Sequence, residues 1–195
     1  LGTDPKQLVL GIKGSLSGNA RLTGSSRDPD LTLDQIVANK LTIAGRDAGQ
    51  ITLQGARTAG IWDVKSLAWN EGQPGEPKAV LQASGNIDEK GEMAVRGDLQ
   101  NFDLTWLGSV MPSFPPLVGR AGFAFVLGGP TKQPNLVESS LTTEGLGYMG
   151  SDGKAETLPV NVLISDLSII DGLLAANGFV SFKDFSGKLE AKLPL

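Results

Sequence analysis

The chain has 195 residues, a net charge of −4, no cysteine and no histidine. This excludes disulfide staples and thiolate metal sites, and it removes the commonest general base and the commonest metal ligand together. No two basic residues are adjacent, so the clustered Lys and Arg of a nucleic-acid footprint are absent.

The 26 glycines and 11 prolines, beside only 19% charged residues, favour strands and turns over helices. A hydrophobic content of 40% is enough for a folded chain. The first predicted strand runs between Gly18 and Gly24, and a polar turn then leads to Pro29 and a new strand at Leu31. Lys40–Ile43 and Gln50–Leu53 alternate apolar and polar residues, with Asp47–Gly49 as the expected hairpin turn between them. Trp62 and Val64 are followed by Leu67 and Trp69. That change of parity predicts a bulge near Lys65–Ser66. Gln73–Pro77 reads as an exposed loop tip. Leu81–Ile87, a turn at Asp88–Gly91 and Glu92–Val95 follow.

One segment breaks the β pattern. Leu104, Leu107, Val110 and Met111 have helical spacing, which predicts a short helix over 103–111 capped by Asp103 and stopped by Pro112, Pro115 and Pro116. Gly122–Gly128, a polar turn, Pro134 and Leu136 then repeat the opening skeleton. Turns are expected at Ser151–Gly153 and Asp171–Gly172. Val160, Val162 and Ile164 give way to Leu167 and Ile169, a second parity change that predicts a bulge near Ser165–Asp166. Leu174–Val180 echoes Leu81–Ile87, and Lys188–Leu193 alternates again. The echo points to stacked repeats: residues 1–116, ending in the helix and a Pro-rich joint, and residues 117–195. The chain begins at Leu1 and stops in an alternating strand, as expected of a section of a longer protein.

Alternation leaves one face apolar, and something must cover it. The candidates for that face are Leu41, Ile43, Ile51, Leu53, Leu81, Ile87, Met93, Val95, Phe123, Phe125, Val162, Ile164, Leu189 and Leu193. They fit a sandwich, where a second sheet covers them. They equally fit a curled sheet whose apolar faces look at each other across a trough.

The glycine–strand–glycine–turn–Pro-x-Leu pattern resembles that of the TamB and AsmA-like proteins. So does Phe102-Asp-Leu-Thr-Trp-Leu, followed by prolines and Leu117-Val-Gly119. The resemblance covers the whole chain and implies an all-β fold: a long curled antiparallel sheet, taco-like, with a hydrophobic groove and one short helix. It further implies a non-enzymatic periplasmic segment of an inner-membrane-anchored protein, with the anchor outside this chain. Such a groove conducts phospholipid acyl chains between the inner and outer membranes, or assists outer-membrane protein assembly. Its partners would be acyl chains and, through other parts of the full-length protein, a BamA-type barrel. No cofactor and no metal are expected.

Other chemistry is weakly signalled. Ser151-x-x-Lys154 has a nucleophile–base spacing, but Asp-Gly makes it a turn. Asp28, Asp30 and Asp34 lack the glycine and closing glutamate of a calcium loop. Gly128-Gly-Pro130 leads into a turn and not into a helix. Trp62, Trp69 and Trp106 read as core or trough-edge residues, with a sugar-binding platform as the other possibility. The alternative functions are a structural or adhesive β-sandwich module and a carbohydrate-binding module.

Overall fold

Period-two alternation builds strands, and short turns rich in glycine and aspartate reverse them. The computed structural model describes residues 11–71, 78–110, 116–150, 153–182 and 185–194. Its strands are β1 (Ile12–Gly24), β2 (Pro29–Ile43), β3 (Arg46–Thr58), β4 (Ile61–Asn70), β5 (Val80–Ile87) and β6 (Glu92–Asp103). Helix α1 (Thr105–Val110) comes next. The rest are β7 (Leu117–Pro130), β8 (Asn135–Met149), β9 (Ala155–Ile170), β10 (Leu173–Phe182) and β11 (Phe185–Pro194). All eleven strands form one sheet in chain order, each antiparallel to its neighbours.

The tight turns follow backbone chemistry. Ala44–Gly45, Ala59–Gly60 and Asp171–Gly172 each place two residues at positive φ, the geometry that matches strand twist in two-residue hairpins. The expected turn at Asp47–Gly49 is corrected: the chain reverses at Ala44–Gly45. The Asp47 carboxylate instead accepts the Gly49 N–H at 2.9 Å inside β3. An Asp-x-Gly signal therefore marks a local kink here. The Asp88–Gly91 turn forms as expected, with Asp88 Oδ1 accepting N–H groups from Lys90 and Glu92. The loop tip at Gln73–Pro77, and Met111, Pro112 and Pro115, lie outside the described residues.

Both predicted bulges are present. Gln54 faces Ser66 and Gly55 faces Val64, which leaves Lys65 as the extra residue. Asn177 faces Asp166 and Gly178 faces Ile164, which leaves Ser165. Further breaks in pairing fall in β2, at Gln35 and Lys40, and in β6, at Asn101. All three residues have positive φ.

The curled β-taco is not the fold. The sheet is open, with β1 at one edge and β11 at the other, and its substantial contacts join neighbouring strands. Among the described residues no strands face one another across a trough, and no second sheet forms a sandwich. Periodicity fixes which residues share a face, but it carries no information about how far that face bends.

Glycine on this sheet is a packing device where strands come close. A Cβ at Gly178 would lie 2.1 Å from the Leu163 carbonyl oxygen, whereas one at Gly187 meets nothing within 4 Å. Gly178→Ala is therefore expected to destabilise the sheet by about 1–3 kcal/mol, and Gly187→Ala to leave it near wild type. Urea unfolding of the two variants side by side measures the difference.

Candidate functional site

Residues paired across antiparallel strands point to the same face, so the register lists traced from strand to strand show what each face carries. One continuous row is Leu16, Ala38, Ile51, Trp69, Leu81, Leu99, Phe123, Leu141, Ile164, Gly178 and Leu189. A second is Ala20, Leu33, Gly55, Val64, Gly85, Val95, Leu127, Leu136, Ile169, Leu174 and Leu193. Each crosses all eleven strands without a polar side chain. At ~4.8 Å per strand the rows are roughly 50 Å long.

All the residues singled out from the sequence lie on this face. Leu41 is buried, Leu193 is exposed, and the others are half-buried. No large side chain among the described residues is fully buried. The chain exposes 12977 Å² of surface. A compact protein of this mass would expose about 8,800 Å². Lateral packing thus shields the flanks of the apolar side chains and leaves their tips open.

The opposite face is polar over β1 to β8, whereas over β9 and β10 it exposes Leu163, Phe179, Ile170 and Leu173. A row of Ser17, Val37, Thr52, Ala68, Gln82, Asp98, Ala124 and Ser140 runs along it. A shallow hollow of about 490 Å³ opens there between Asp63, Lys65, Ser84, Asn86 and Arg96. Its charges are mixed and solvated. Among the described residues no cluster of acidic side chains has the arrangement of a metal site.

Helix α1 covers one corner of the apolar face. Trp106 is 4% exposed and packs with Leu41 and Ala48, flanked by Ile43, Ile51 and Phe102. Its indole N–H donates to Glu71 at 2.6 Å, and the Trp69 N–H donates to the Ala48 carbonyl at 2.6 Å. Trp69 stands edge-on to Trp106 and Phe102, so these rings form no flat platform for a sugar. The sequence did not reveal the clamp that holds the helix. Arg46 stacks 4.5 Å over the Trp106 ring, donates to Thr105 Oγ1 at 2.9 Å and pairs with Asp103 at 3.2 Å. Asp103 also accepts the Thr105 N–H, the capping role expected of it.

Among the described residues two cations reach the apolar face, one at each end of β3. Arg46 is held by Asp103, and Arg57 donates to the Pro29 carbonyl and to Asp28. One polar atom is sealed between the two long rows: Ser139 Oγ is buried without a hydrogen-bond partner, beside Phe125 on the same face. Among the described residues no helix is long and apolar enough to cross a membrane.

Burial raises the Asp103 carboxyl, but hydrogen bonds from Thr105 and Arg46 outweigh it and hold the group below its ordinary value. A depressed carboxylate stabilises the fold above the unfolded pKa of about 4, and this contribution is lost as pH falls through the folded value. Asp103→Asn keeps an acceptor for the Thr105 N–H but removes the ion pair with Arg46, and is expected to loosen α1 at pH 7 by about 0.5 kcal/mol, with a red shift of tryptophan emission. Below about pH 4 the wild type should approach the variant. Removing the unsatisfied hydroxyl with Ser139→Ala is expected to raise stability by about 1 kcal/mol, read as a rise of a few degrees in thermal midpoint. No protein-family model, curated protein or solved structure matches the chain.

Proposed function

We propose that this chain is a non-enzymatic periplasmic section of a longer envelope protein, and that its open apolar face carries phospholipid acyl chains between the inner and outer membranes. The observation that carries this reading is the pair of unbroken apolar rows crossing every strand. A fully buried methylene gains about 0.8 kcal/mol, and one lying on an open face roughly half of that. A tail sliding across the strands exchanges one aliphatic neighbour for the next and meets no charged side chain in either row. Headgroups stay in water beside the face. The same surface would suit the apolar strands of outer-membrane proteins during assembly, with a BamA-type barrel as a partner of the longer protein. The sandwich-type adhesive module receives no support, because no second sheet lies over the face among the described residues.

The test is retention and transfer of fluorescent phospholipid by the delipidated protein. Val162→Asp and Phe125→Asp place a charge on the apolar face and are expected to lower retention at least tenfold, with far-UV circular dichroism unchanged. Leu193→Asp, at an exposed position in the second row, keeps the test decisive should the interior variants unfold. Arg96→Ser on the polar face should leave retention intact. Lipid binding that ignores all the aspartate substitutions, or no binding by the wild type, overturns the proposal.

A further inference from the structure

A third row continues the apolar face beyond the second. Over β1 to β7 it runs Leu22, Leu31, Arg57, Trp62, Ile87, Met93 and Gly129. The connections between strands at this margin, 25–28, 59–60, 88–91, 131–134 and 171–172, are all among the described residues. Arg57 is the one charge in the row, and its side chain is 26% exposed. A half-buried cation between Leu31 and Trp62 costs solvation that an aliphatic side chain there would not. Its guanidinium is only partly used. Nη1 donates to the Pro29 carbonyl at 2.7 Å and Nη2 to Asp28 at 2.9 Å, which leaves three of the five N–H groups. Trp62 faces Arg57 directly across the β3–β4 pair. The indole N–H groups of Trp69 and Trp106 have acceptors within the fold, at 2.6 Å each, whereas that of Trp62 has none among the described residues.

We propose that Arg57 and the Trp62 indole N–H hold the phosphate of a phospholipid headgroup at this margin of the apolar face. The inference rests on the acyl-chain reading above and adds where the headgroup sits. A guanidinium offers paired donors that match phosphate oxygens, and a tryptophan suits a boundary that is apolar on one side and wet on the other. Arg57 lies two residues, about 7 Å, beyond Gly55 of the second row. A phosphate there stays in water while its tails reach back over both long rows. Asp28, 55% exposed, is the anion with which it shares the guanidinium.

Retention by the full chain of two lipids with the same acyl chains, phosphatidylglycerol and the phosphate-free diacylglycerol, tests this. Diacylglycerol retention reads the apolar face alone, and the ratio of the two reads the headgroup contact. The wild type is expected to prefer phosphatidylglycerol roughly tenfold. Arg57→Gln should remove that preference and keep diacylglycerol retention. Trp62→Phe, which keeps a ring, should lower the preference roughly threefold. Asp28→Asn frees the guanidinium and should raise it roughly threefold, which a residue that merely ties down the β1–β2 turn would not do. Arg96→Gln makes the same change of charge on the polar face and should leave the ratio alone. Inorganic phosphate in excess should not displace the lipid. Equal retention of both lipids by the wild type overturns the headgroup site and leaves the acyl-chain reading standing; retention of neither overturns both. The site is also overturned by a ratio that Arg57→Gln or Trp62→Phe leaves unchanged, that Asp28→Asn fails to raise, or that Arg96→Gln lowers as far as Arg57→Gln does. Displacement by inorganic phosphate overturns it as well, since the site would then take a free anion.

Discussion

Strand parity is the constraint on which everything else in this molecule depends. A one-residue slip in a strand carries its whole apolar set to the other face. Eleven strands must agree for a single apolar row to cross the sheet. The chain meets this condition with bulges that absorb the extra residues. In β2, Leu31 and Leu33 lie on the apolar face, then Ile36 and Ala38, then Leu41 and Ile43. Gln35 and Lys40 take up the two changes at φ values of 52° and 51°. Holding a residue with a Cβ in the left-handed region costs about 1–2 kcal/mol, and the aligned apolar pairs on either side offset it.

The same arrangement determines how the sheet is held. Each strand from β2 to β10 rests on two neighbours, so stability is distributed along the sheet as nearest-neighbour terms, much as in a repeat protein. The α1 corner is the exception. Arg46 and Asp103 are 57 residues apart and meet across β3 and the end of β6, with Trp106 beneath the guanidinium. That clamp ties the first half of the sheet to the helix by side-chain contacts. Leu104, which leads into α1, donates its N–H to the Gly119 carbonyl at the start of β7.

What could be read from the sequence follows from the range of each interaction. The bulges at Lys65 and Ser165 were legible because an apolar parity change is written in consecutive residues. The same signal is present in β2, where Leu31 and Leu33 give way to Ile36. The shared face of Leu41 through Leu193 was legible because alternation assigns faces without reference to distant residues. The Ala44–Gly45 turn was hidden, since alanine gives no cue for positive φ, while Asp47 and Gly49 offered a louder signal two residues on. The degree of curvature was not legible, because a flat sheet and a curled one share one alternation. Nor was the Arg46–Asp103–Trp106 clamp, which depends on a register built up over several strands.

The topology explains why the apolar face is left open. Sandwiches place successive strands in different layers by way of longer connections. Here two-residue turns join β2 to β3, β3 to β4 and β9 to β10, too short to leave the sheet. Among the described residues the connection with its own secondary structure, between β6 and β7, is spent on α1, which covers only a corner. The chain therefore has no described element left to lay over the two rows. An apolar strip roughly 50 Å long and 13 Å wide exceeds the largest patch of a typical soluble monomer. No described element covers it, and the absence of polar side chains along both rows leaves nothing on it to hold a polar group in one place.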